Sequence, residues 1–283
     1  MLAKYGAGRV RDTPISEASM IGAGVGAAIA GARPITEILY IDFAMLGMDQ
    51  IVNQAAKFRL MTGDRGSVPF VMRTQGGTGG AVAAQHSQSL EALFYHIPGL
   101  RVVMPSTPYD AKGLLTHALR QDHPVMFLEH KHLYMTKGHV PEESYEIEFG
   151  KAQVIREGTD VTIIAWSHML LKAMEAAEAL AEQNVNAEVI NMRTLSPLDT
   201  DTIMASVAKT NRVVIAQEAV RRGGVASDIA SYIHTDHFYS LDAPIEIVAG
   251  LNIPIPFNMS LEKASVPQVD DIVAAAHRTL DHA

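Results

Sequence analysis

Cysteine is absent from the 283 residues of this sequence. Its absence removes disulfides, thiolate nucleophiles, thiolate zinc sites and cysteine-held iron–sulfur clusters together, and leads us to expect a cytoplasmic protein with no thiol redox chemistry of its own. Basic runs are missing as well: 23 Lys and Arg stand against 31 Asp and Glu, a net charge of −8, and no cationic stretch exceeds a pair such as Arg221-Arg222. Nothing here neutralises a row of phosphates, so nucleic acid is not an expected partner. Long apolar runs are also lacking. The least polar stretch, residues 20–33, is too short for a bilayer and is built from glycine and alanine where lipid calls for leucine, so no membrane span is expected. The opening Met1-Leu-Ala-Lys-Tyr-Gly-Ala-Gly has neither the apolar core nor the cleavage site of a signal peptide.

What remains is globular material, 48% hydrophobic and 19% charged. Compact β-branched runs bounded by turn residues predict strands over residues 34–41, 68–73, 100–105 and 124–129. Helical spacing predicts helices over 44–61 and over 106–120, the latter opened by Ser106-Thr-Pro with Asp110 in its first turn. Residues 131–150 lapse into a polar linker. Further strands over 160–166, 187–192, 212–216 and 244–249 follow, with an amphipathic helix over 168–183. Strand and helix alternate throughout, which predicts an α/β fold of two α/β domains with mostly parallel sheets, residues 1–140 and 150–283.

The run Ile21-Gly22-Ala-Gly24-Val-Gly26 resembles a dinucleotide loop at first sight, but it follows no predicted strand and lacks the glycine three positions on. A helix whose small residues let another helix or subunit approach closely is the better reading. Before it, Ser16 is placed to cap the helix and Glu17 to fall in its first turn. Glu17 is either a plain capping acid or, among Ala18, Met20 and Ile21, a carboxyl able to hold a proton. Gly76-Gly-Thr-Gly-Gly80 follows a predicted strand and leads to His86, set between two glutamines at the strand end where α/β sheets bind ligands. His130-Lys-His132 with His139, and His234-Thr-Asp-His237, lack zinc-helix spacing and read as surface residues.

Several longer stretches occur in one order: Asp12-Thr-Pro-Ile-Ser-Glu17, Ile41-Asp-Phe43, Asp49-Gln-Ile-Val-Asn-Gln-Ala-Ala-Lys57, Ala84-Gln-His-Ser-Gln-Ser, Ile97-Pro-Gly-Leu, Pro105-Ser-Thr-Pro-Tyr-Asp-Ala-Lys, Arg193-Thr-Leu-Ser-Pro-Leu-Asp199 and Glu218-Ala. From about Arg9 onward the chain thereby resembles the β subunit of a thiamine-diphosphate-dependent 2-oxo acid dehydrogenase E1 component, of pyruvate or acetoin type. The resemblance implies a pyrimidine-binding domain followed by a transketolase C-terminal-like domain. It also implies an α2β2 heterotetramer with an E1 α subunit, acyl transfer to the lipoyl arm of an E2 acyltransferase, and pyruvate, acetoin or a branched-chain 2-oxo acid as substrate.

On this resemblance Glu17 falls on the glutamate that hydrogen-bonds N1′ of the cofactor's aminopyrimidine, and Ile15, Leu39 and Phe43 on positions packing around that ring. His86 falls on an active-site histidine of proton transfer. No Gly-Asp-Gly with a downstream Asn is present, and Gly63-Asp64-Arg65 is no substitute. The diphosphate and its Mg²⁺ are therefore expected on the α subunit. Some members hold a K⁺ at positions matching Phe70, Ala118, Leu119, Gln121 and His123, where the family's acid is replaced here by Gln121. Members begin several tens of residues earlier, so an uncovered edge is expected on the first sheet. Residues 129–134 and 138–143 lean toward the acetoin branch. A ketol-transferring transketolase-like half-protein and a non-catalytic assembly subunit are the alternatives.

Overall fold

The computed structural model describes residues 1–281. The chain opens with α1 (Leu2–Tyr5), α2 (Glu17–Ile29), β1 (Ile35–Tyr40), α3 (Ile41–Ala44), a 3₁₀ turn (Met45–Gly47), a π-helix (Asp49–Ala55) and α4 (Phe58–Met61). There follow β2 (Val71–Gly76), α5 (Glu91–Tyr95), β3 (Arg101–Val103), α6 (Pro108–Ala118), β4 (Val125–His130) and a 3₁₀ turn (Lys131–Met135). The second half runs β5 (Gln153–Arg156), β6 (Val161–Ala165), α7 (His168–Ala181), β7 (Ala187–Asn191), β8 (Thr194–Ser196), α8 (Thr200–Thr210) and β9 (Val213–Val220). It closes with α9 (Val225–His237), β10 (Glu246–Gly250), α10 (Met259–Ser265) and α11 (Val269–Leu280).

Two five-stranded sheets result, ordered β1-β2-β4-β3-β8 and β10-β9-β6-β7-β5. Pairing is parallel except for β8 on β3 and β5 on β7. The central strands have the near-continuous apolar runs that parallel strands covered on both faces require: β6 and β7 are buried at every residue. One apolar cluster joins the two sheets, running from Ile21, Ile38, Phe70 and Leu128 to Trp166, Ile190, Ile215 and Ile229. Burying so many large side chains in one contiguous core makes the halves a single packed body. A second cluster under α7 and α11 covers the far face of the second sheet, and a third under α6 the far face of the first.

Three expectations change. The helix read over 44–61 is broken into 3₁₀, π and α turns, and within it Gly47 sits so close to Ile21 that a Cβ there would lie 2.4 Å from its Cδ1. The small residues of α2 serve the chain's own sheet first: a Cβ on Gly24 would meet Thr36 Oγ1 and the Phe70 ring. Gly26 faces open space. Ser16 occupies the N-cap position of α2, but with ψ at 86° its hydroxyl meets Ser19 Oγ at 3.1 Å and does not cap. Thr107, by contrast, caps α6 as its Thr-Pro sequence predicts, accepting from the Asp110 N–H at 3.0 Å.

Candidate active site

The carboxyl ends of β1, β2 and β4 bring together three segments distant in sequence, in the place where open α/β sheets hold ligands. Phe43 follows β1, His86 follows the glycine-rich loop after β2, and Lys131 follows β4. The His86 ring stands edge-on to Tyr40 and Phe43, with centroids 4.7 and 5.2 Å away. Lys131 Nζ donates to the His86 carbonyl and lies 5.6 Å from the Tyr40 ring centre. Burial pushes its ammonium pKa below the ordinary lysine value. Beside it Gln88 donates to Asp42 Oδ1 at 2.7 Å, while Asp42 Oδ2 is buried without a partner.

The other predicted residues lie on the open side. Glu17 is the first residue of α2, half-buried and without a side-chain hydrogen bond among the described residues. Ile15 is 90% exposed and Leu39 64% exposed, whereas Phe43 is half-buried. Of the apolar residues expected to enclose Glu17, only Ile21 is buried, because Ala18 faces out from the first turn. This chain therefore does not close an apolar pocket around the carboxyl. A groove of about 320 Å³ runs beside Leu39, lined by Glu37, Arg73, Glu129 and Tyr134. Arg73 bridges Glu129 at 2.7 Å and Glu37 at 2.9 Å across it.

Behind the loop, charge is buried. His130, read from sequence as a surface residue, is only 4% exposed. Its Nε2 lies 2.9 Å from Glu218 Oε2, and its ring stacks on His168, which in turn stacks on the exposed His132. Burial pushes the Glu218 carboxyl up, but His130, His168 and the Thr78 N–H outweigh it and hold its pKa well below the usual carboxylate range. His130, His168 and Glu218 offer ligand atoms within 4.8 Å of one another. Their hydrogen bonds nonetheless describe a histidine–carboxylate contact and no metal site: His130 Nδ1 accepts the His132 N–H at 3.2 Å, which leaves the ring proton on the Nε2 that donates to Glu218.

This fold and these motifs have relatives. Residues 1–137 match the transketolase pyrimidine binding domain and residues 150–272 the transketolase C-terminal domain. The chain is 48% identical over 280 residues to the β subunit of acetoin:2,6-dichlorophenolindophenol oxidoreductase of Cupriavidus necator, covering 99% of this chain and 82% of that one. It is 46% identical over 278 residues to the pyruvate dehydrogenase E1 component subunit β of Rickettsia felis, covering 98% and 85%. The chain belongs to the E1 β-subunit family. A solved split-gene transketolase, an inactive β4 tetramer, superposes with a TM-score of 0.83 over 99% of this chain and 86% of its own at 24% identity, a likeness of fold.

In an E1 β subunit the aminopyrimidine of thiamine diphosphate asks for an apolar clamp with a carboxyl at its edge. Ile15, Leu39, Phe43 and Glu17 have that chemistry, the first two exposed and the last two half-buried in this chain. The K⁺ positions do not fit an ion. Arg33 Nη1 donates to the Gln121 carbonyl at 2.7 Å and the Leu119 carbonyl at 3.3 Å, and its Nη2 pairs with Asp122. The Phe70 and Ala118 carbonyls accept from the Val125 and Gln121 N–H groups. His123 Nε2 meets Arg59 Nη1 at 3.1 Å. A guanidinium already provides positive charge at two of the five positions, and like charge opposes a second cation there. Asp64, the acid of Gly63-Asp64, pairs with Arg59.

Proposed function

We propose that this E1 β subunit supplies the pyrimidine half of a thiamine-diphosphate site shared with an E1 α subunit, and that the complex turns over acetoin or pyruvate and passes the acyl group to the lipoyl arm of an E2 enzyme. The observation that carries this reading is the contrast in the front face: Ile15 and Leu39 stand exposed beside the half-buried Glu17 and Phe43, while the sequence has no Gly-Asp-Gly element for diphosphate and Mg²⁺. An apolar clamp without a phosphate anchor is half a site.

When bound, the cofactor supplies an electron sink for cleavage beside a carbonyl. Glu17 would hydrogen-bond the ring nitrogen N1′, and a partner surface closing over Ile15 and Leu39 would remove water from that contact and strengthen it. Phe43 would pack against the ring and orient it. His86, steadied by Tyr40, Phe43 and Lys131, is the group of this chain that moves protons at substrate and lipoyl.

The test is reconstitution. The β subunit is mixed with the α subunit recovered by pull-down from its source lysate, and dye reduction is followed with acetoin and with pyruvate, with and without thiamine diphosphate. We expect cofactor-dependent turnover of one substrate by the mixture and none by β alone. Full turnover by β alone contradicts the shared site.

A further inference from the structure

Residues 77–86 have an irregular backbone. Gly77, Gly79 and Gly80 have positive φ, and so do Ala81 at 51° and Ala83 at 64°, a region that costs a residue with a side chain. No helix or strand lies between Gly76 and Glu91 to hold this path. Beside the Gly77 N–H bond to the Gln88 carbonyl and the Ala83–His86 turn, it is held by two carboxylates of the second domain. Glu218, on β9, accepts the Thr78 N–H at 2.7 Å and the Ser89 hydroxyl at 3.2 Å on one oxygen, so a single atom draws the two flanks of the loop together. Glu262, on α10, accepts the Gly79 N–H at 2.9 Å and the Ala81 N–H at 3.1 Å on separate oxygens. Both carboxylates are buried, where charge-assisted bonds to N–H groups are strong.

The fit leaves no slack. A Cβ on Gly77 would lie 2.1 Å from His130 Nε2, and one on Gly79 2.3 Å from His132 Nε2, so glycine is required there for space as well as for φ. Five residues beyond Ala81 the same segment presents His86, whose carbonyl is tied to Lys131.

We infer that Glu262 is a positioning residue for His86: from the second domain it fixes the left-handed loop whose far end carries the active-site histidine. This rests on the reading of His86 given above. The carboxylate form is essential because two N–H groups converge on two oxygens. A glutamine at this position offers one acceptor and turns an NH₂ donor against the other N–H.

The experiment is a double-mutant cycle in the α-reconstituted enzyme, comparing wild type, Glu262→Gln, His86→Ala and the double variant by kcat and by the thiamine diphosphate concentration giving half-maximal rate. A misplacement of the catalytic group on the ångström scale costs roughly 100-fold, so we expect Glu262→Gln to lower kcat by about 10- to 100-fold with cofactor half-saturation unchanged. In the His86→Ala background it should lower kcat no further. Losses that multiply, or a Glu262→Gln enzyme as fast as wild type, overturn the positioning role while leaving His86 catalytic. A His86→Ala enzyme at full rate overturns the reading of His86 and this inference with it. Should Glu262→Gln fail to fold, hydrogen exchange on the wild-type complex reads the same contacts. The Gly79 and Ala81 amides should exchange at least about tenfold more slowly than those of Ala84 and Gln85, and equal rates overturn the proposal.

Discussion

Glu17 and Glu218 are the same residue type in opposite circumstances. Glu17 stands at an open face among apolar groups that nothing in this chain covers. Glu218 lies in a closed seam with both oxygens engaged, by Thr78, Ser89 and His130. The seam is finished within one chain and the face is not. What the difference teaches is which contacts fold the subunit and which await a partner: most polar groups buried by folding are satisfied at once, whereas those a partner will bury stay open until it arrives.

The strongest way to sharpen that comparison is at the face. Glu17→Gln in the reconstituted enzyme should lower turnover by about 1,000-fold, in the range of a lost acid–base group, while leaving the melting temperature of the β subunit within about 1 °C of wild type. A non-catalytic assembly subunit would retain activity, so dye reduction decides.

At the seam the order of effects reverses. Glu218→Gln turns an NH₂ group against donors that now meet a carboxylate oxygen, and losing a buried hydrogen bond to a charged acceptor costs about 1.5–3 kcal/mol. We expect a fall in melting temperature of roughly 3 °C or more by calorimetry. A change under about 2 °C, less than 1 kcal/mol, would mean the pair is not part of what holds the domains together.

A smaller, pH-dependent effect belongs to Glu91. This fully buried carboxyl has Trp166 Nε1 as a weak partner at 3.4 Å, and burial pushes its pKa above the ordinary 4.5. A carboxyl whose pKa is raised by folding contributes stability in its protonated form, and that contribution is lost as pH rises through the folded value. Glu91→Gln should therefore melt higher than wild type at pH 8, and the gap should close as pH falls toward 4.5. Calorimetry across that range checks it, and a gap constant with pH argues against ionisation as its source.

The smallest effect concerns Arg33. Equimolar KCl and NaCl should give the same melting temperature, since the guanidinium already serves the Leu119 and Gln121 carbonyls. Arg33→Ala should cost about 1 kcal/mol, as expected of a half-exposed pair with two carbonyl bonds. Stabilisation of the wild type by K⁺ alone would restore the ion.

Most strands were legible because parallel strands buried on both faces leave uninterrupted apolar runs, as in Val161–Ala165 and Val125–His130. Three-residue β8 carries no such signal, and neither do the breaks in 44–61, within which Gly47 closely approaches Ile21, a tertiary contact without local sign. Glu17, His86 and Phe43 were singled out because each lies inside a recognisable stretch of residues. Glu262, His168 and Lys131 were not, because their partners are far off along the chain: Glu262 meets Gly79 across 183 positions. The surface reading of His130 failed for the same reason, since the charge that draws it inward sits 88 residues away.

Strand β8 carries one last consequence. It comes from the second half of the chain yet pairs with β3 of the first sheet, where Ser196 Oγ also donates to the Leu100 carbonyl. The two halves, which are separate family domains, are thus sewn together at the level of a hydrogen-bond ladder. An excised first half keeps its helices but bares β3, inviting strand addition by other copies. Engineering or shuffling in this subunit should therefore treat residues 194–196 as the property of the first domain, and graft them with it.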